Sequence, residues 1–207
     1  MKTVHAAICG ILFLALLVSP GRAVSDILSL PIAGDAYIEE AHATLILPKK
    51  PGSVTGDVAI RSGIMMNDEV TLVQGVVSNS PSGSYCNDGG EKWCSFAYIS
   101  TLDKFNSKTQ IWEQSTYVDG KLSSTVASSR GQVGIAFYLT ILCADGSACA
   151  EHPEHSWTNV SVVLNKADRN FGRRKELKFN ATGGNMTSSD GKTWKIDDIK
   201  VPAQKAN

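Results

Sequence analysis

The densest run of groups able to move protons or hold a metal is Glu151-His152-Pro153-Glu154-His155. Two imidazoles beside carboxylates resemble a metal site or an acid–base pair in composition. Pro153 forbids the helix that would set both histidines on one face, and no distal third ligand announces itself. A loop is the plainer reading, so no metal and no cofactor is expected, while Glu154 and His155 stay as candidate catalytic residues. Gln74 alternates with Leu72 and Val76, which puts an amide among apolar neighbours. Such a group either satisfies nearby backbone or offers its hydrogen bonds to a ligand.

A second set is polar and aromatic. Trp112 and Gln114 share one side of their strand, and Tyr138 and Thr140 share one side of another. If a curved sheet shows all four on its outer face, they form a cleft on which sugars stack, and they are the candidate ligand-binding residues. The plainer alternative puts Trp112 in the core. The acidic pairs Glu39-Glu40, Asp68-Glu69 and Asp197-Asp198 fail as glycosidase carboxylates, because adjacent strand positions point opposite ways. No nucleophile elbow, phosphate-binding loop or dinucleotide fingerprint is present.

These residues must be held by strands. Stretches rich in Val, Ile, Thr and aromatics, broken by Gly, Asn, Asp and Pro, predict strands at 41–47, 57–64, 71–78, 95–100, 109–118, 121–127, 132–144, 156–165, 176–179 and 193–201. Asp119-Gly120 between two such runs is the chemistry of a type I′ hairpin turn, and Asp190-Gly191 repeats it. Short strands at this spacing close best as two packed antiparallel sheets, so the expected fold class is all-β, a jelly-roll β-sandwich. In 132–144, Phe137, Leu139 and Ile141 form the core set, with Tyr138 and Thr140 opposite.

The N-terminal 23 residues carry Lys2, an apolar run to Val18, Pro20, and small residues Gly21 and Ala23 before a cut. This is the pattern of a signal peptide, leaving 24–207 as a single domain, secreted and extracellular. Later segments are too short to span a membrane. Lys plus Arg equals Asp plus Glu, at 20 each, so no bulk charge draws the chain onto nucleic acid.

Cys9 leaves with the signal peptide. Cys86, Cys94, Cys143 and Cys149 remain, and an oxidising compartment implies two bridges. Four thiols allow three connectivities; the short separations favour Cys86 with Cys94 and Cys143 with Cys149. Asn159, Asn180 and Asn185 each begin an acceptor sequon for N-glycosylation.

The segments HATLILPKKPGSVTGDVAIRSGI, TLVQGVV, YVDGKLSSTV, PEHSWTNVSVVLN and TSSDGKTWKIDDIKVP together resemble small secreted fungal proteins with a concanavalin A-like jelly roll. More distantly they resemble the fungal glutamic peptidases. That resemblance implies a glutamine and a glutamate that activate water, for which Gly63 and Gln74 match the strand pattern and Glu154 is the nearest acid. In the family the acid stands next to a tryptophan, whereas Glu154 precedes Trp157 by three positions. An even shift of two keeps its face and moves the carboxylate about 6–7 Å along the strand.

Three functions are open at this point. One is binding of an extracellular glycan or glycoconjugate through the polar-aromatic face. Another is hydrolysis, as a glutamic-type peptidase or a polysaccharide-cleaving enzyme. The third is a pocket for a small organic ligand, cyclised or isomerised as in fungal natural-product biosynthesis.

Overall fold

The computed structural model describes residues 23–48, 56–83, 89–99, 111–128, 131–143 and 152–204. Of the residues singled out above, Cys86, Cys149, Glu151 and all of the expected leader but Ala23 lie outside these, as does the side chain of Cys143. The chain is all-β, a jelly-roll sandwich of antiparallel strands. In order these are β1 (Ala23–Pro31), β2 (Ile38–Ile46), β3 (Val58–Met66), β4 (Leu72–Asn79), β5 (Cys94–Ile99), β6 (Trp112–Val118) and β7 (Lys121–Ser128). There follow β8 (Gly134–Cys143), β9 (His155–Leu164), β10 (Glu176–Leu177), β11 (Thr182–Gly183), β12 (Met186–Thr187), β13 (Thr193–Ile196) and β14 (Ile199–Val201).

One layer runs β10-β1-β8-β3-β4-β5, and the other sets β2 and β13/β14 on either side of β9. Alternation aims one face of each layer inward. Ile60, Leu139 and Ile141 from the first meet Val160, Val162 and Leu164 from the second in a single core cluster. Residues 136, 137, 139, 140, 141 and 142 of β8 are all buried, because β1 and β3 flank this strand along its length. That is why it reads as a nearly continuous apolar run.

The layers join at a corner where Ile38 pairs with both Leu164 and Gly134. A Cβ on Gly134 would stand 2.6 Å from Ile64 Cγ2 and 3.0 Å from Ile38 Cβ, so only glycine lets the strands approach this closely. Gly134→Ala is expected to cost about 1–3 kcal/mol, seen as a lower urea midpoint at unchanged slope.

Where the sequence predicts one strand over 193–201, the chain breaks at Asp197-Asp198 into β13 and β14. Both still pair with β9 in one continuous register, and the gap lies across from Asn159. Asn159 takes a left-handed φ of 50° where the β2–β9 register shifts. This bulge lets Trp157 and Val160, three apart, both point inward. Strand β1 has no counterpart among the expected strands, since it begins at the last residue of the expected leader.

The β6–β7 hairpin forms a separate two-stranded sheet, turned by Asp119 and Gly120 at φ 48° and 75° as the dipeptide predicts.

Candidate functional site

With Phe137, Leu139 and Ile141 facing the core, Tyr138 and Thr140 take the outer face of β8. Cross-strand register then builds two rows. Thr140 stands between Asp26 of β1 and Arg61 of β3. In the next row Gly63 stands between Tyr138 and Gln74.

Gln74 and Thr140 are 1% and 4% exposed, whereas Asp26, Arg61 and Tyr138 are half-buried, so the rows make a floor with a more open rim. Arg61 Nη1 donates to Gln74 Oε1 at 2.9 Å. The glycine within the second row is a packing requirement, because a Cβ on Gly63 would lie 3.1 Å from Gln74 Cβ and 3.0 Å from the Val73 carbonyl oxygen. At the end of the face Ala59, Val76 and Leu142 form a small apolar cluster of their own.

Two features mark this patch as chemically unfinished. The Thr140 hydroxyl is buried and has no hydrogen-bond partner among the described residues. Burial also raises the Asp26 carboxyl above its ordinary pKa, against the opposing pull of Lys178 and Arg61, with Glu176 adding to the rise. Asp26 and Arg61 were not singled out from the sequence. The only sequence signal for Arg61 is a lone charge in an apolar strand, and its meeting with Gln74 follows from register.

Trp112 and Gln114 do not join this face. Trp112 is 5% exposed within the main core and donates Nε1 to the Gln132 carbonyl oxygen at 3.1 Å. Gln114 and Thr116 lie over Gly75, whose cross-strand neighbour Ser62 alternates with the core-facing Ile60 and Ile64. The four candidate ligand-binding residues are therefore split between opposite sides of one layer: Tyr138 and Thr140 outside, Trp112 and Gln114 inside.

Glu154 and His155 sit at the head of β9 in the other layer, whose partners are β2, β13 and β14. Glu154 is exposed, and no pairing brings it to β4 and Gln74. His155 and His152 are each 3% exposed. Their rings meet edge to face with centroids 5.5 Å apart, and each Nδ1 lies on the Pro153 carbonyl oxygen, at 2.9 and 3.2 Å. A carbonyl only accepts, so both rings carry their proton on Nδ1. Burial holds His155 down to about 4, with His152 adding to the drop, and lowers His152 in the same direction. Among the described residues no three His, Cys, Asp or Glu stand close enough to hold a metal ion.

A cavity of about 470 Å³ opens elsewhere, beside Ala33, Gly34 and Ala167. Lys166 pairs there with Asp35 and Arg174 with Asp168, and Arg169 adds a further positive charge to the lining. No helix among the described residues is long and apolar enough to cross a membrane.

No family model matches the chain, and no curated protein matches it. Among solved structures it is similar to a Scytalido-glutamic peptidase with a peptide-based transition-state analogue. The TM-score is 0.45 at 10% identity, over 85% of this chain and 98% of that one.

Proposed function

We propose that this is a secreted glycan-binding protein that holds carbohydrate on the outer face of β1, β8, β3 and β4. The observation that carries the reading is the Thr140 hydroxyl, buried without a partner among the described residues, between an acid and a guanidinium. An unmet buried hydroxyl costs about 1–3 kcal/mol, which a ligand hydroxyl can recover. Tyr138 at the rim supplies an aromatic face with a polar tip, and Gln74 an amide already oriented by Arg61.

Export supports this reading. The leader pattern precedes the domain, and Asn159, Asn180 and Asn185 are all exposed, as carbohydrate acceptors must be. Asn159 lies on β9 in the other layer, whereas Asn180 follows β10, which pairs with β1. The Cys94 sulfur is disulfide-bonded, in keeping with an oxidising compartment.

The hydrolytic alternative keeps its amide, but among the described residues no glutamate converges on it, since Gln74 faces Arg61 and Glu154 belongs to the other layer. The small-molecule alternative asked for an apolar enclosure beside Gln74, where the guanidinium of Arg61 lies instead.

Affinity electrophoresis on a panel of extracellular polysaccharides tests the proposal. Tyr138→Ala and Gln74→Ala are each expected to weaken binding about tenfold, the loss of one well-made contact of about 1.4 kcal/mol. Trp112→Phe should bind as the parent does. Full retention by Tyr138→Ala would remove the face from consideration.

A further inference from the structure

We infer that the sugar recognised on this face is neutral and presents vicinal hydroxyls, and that Asp26 turns away acidic sugars. The inference rests on the glycan-binding reading and adds its ligand class.

The row offers an acceptor, a hydroxyl and a donor in sequence, as Asp26, Thr140 and Arg61. Neighbouring strands are about 4.8 Å apart, so the side chains of the outer two positions reach toward a ligand seated over the middle one. A diol fits that order. One hydroxyl donates to the Asp26 carboxylate and the other accepts from Arg61, while Thr140, able to do both, bonds to either. A carboxylate or sulfate on the sugar has no proton to give Asp26 and meets its charge instead.

Charges of both signs act on Asp26. Asp26 feels Lys178 and Arg61 as attractive charges and Glu176 as a repulsive one, and Lys178 already lies 3.7 Å from Glu176. Gln74 takes one edge of the guanidinium through the 2.9 Å bond to Nη1, which reduces what Arg61 has left for gripping a ligand carboxylate in bidentate fashion.

Binding of the full-length secreted protein is measured at pH 7 to soluble β-glucan, mannan and xylan, and to polygalacturonate and alginate. Each is run at low and high salt, with Asp26→Asn and Arg61→Gln beside the parent.

The expected result is binding to at least one neutral polymer, insensitive to salt, with polyuronates at least tenfold weaker. Asp26→Asn is expected to lose about tenfold on the neutral polymer and to narrow or abolish the discrimination against polyuronates. Arg61→Gln should weaken the neutral polymer without admitting the acidic ones. Salt-sensitive binding that favours polyuronates overturns the ligand class and leaves glycan binding standing. An Asp26→Asn protein that discriminates as the parent does removes Asp26 from the role. Binding to no polymer at all sinks the glycan reading and the inference with it.

Discussion

Trp112→Ala is expected to lower the free energy of unfolding by about 3–5 kcal/mol, the usual cost of emptying a large aromatic site in a core. The hairpin that carries Trp112 has only two strands, and an isolated hairpin is marginal in water. The indole in the main cluster and the bond from Nε1 to the Gln132 carbonyl oxygen tie it to the sandwich, beside Gln114 and Thr116 over Gly75 and the Ser123 bond to Ser95. Removing the ring takes away the first two, the part of that hold that lies in the main core cluster.

Trp112→Phe keeps most of the apolar area and deletes only the donor, for a smaller loss of about 1–2 kcal/mol. Urea unfolding monitored by tryptophan fluorescence and by far-UV dichroism gives both numbers. If Trp112 instead lined a ligand cleft, its truncation would abolish binding while barely moving the unfolding midpoint. That pattern would refute the placement.

The same residue shows how far the sequence reaches. Alternation puts Trp112 and Gln114 on one side of β6, and Tyr138 and Thr140 on one side of β8, and the structure agrees with both pairings. Which side of the large layer a detached hairpin covers is a tertiary matter. Periodicity within a strand carries no information on it, so the joint cleft was out of reach of pattern alone.

Asp26 was hidden differently. Strand β1 starts at Ala23, where the leader pattern ends, so its acid sits too near that boundary to be read as part of a sheet. Asp119-Gly120 was legible because its chemistry is local: two successive residues must take positive φ, and few dipeptides do so cheaply. The bulge at Asn159 was not legible. Its left-handed φ shifts the phase of β9 in mid-strand, and no glycine marks the spot.

Lowering the pH from 6.5 to 4 is expected to remove about 3 kcal/mol of stability through His155 alone. The unfolded chain offers a histidine with the ordinary value of 6.5, whereas burial holds the folded one down to about 4. Between those values the unfolded state binds a proton that the folded state refuses, so the stabilisation is complete above 6.5 and is lost as pH falls to 4. His152 is lowered in the same sense and adds to the slope, opposed by its contacts to Pro153 and Gln204.

Protonation would also put a second donor on a ring whose Nε2 is buried with no partner among the described residues. The Asp190 carboxylate behaves oppositely. Bonds from the amides of Thr193 and Lys192 hold it down to about 2, so its contribution persists above 3.8 and fades only below. The two effects therefore occupy separate pH windows. Urea midpoints measured from pH 7.5 to 3 should show a slope between 6.5 and 4 that His155→Leu flattens and a further fall below 3.8 that it leaves alone. A slope unchanged in His155→Leu would place the acid sensitivity elsewhere, because leucine fills a similar volume and has nothing to titrate.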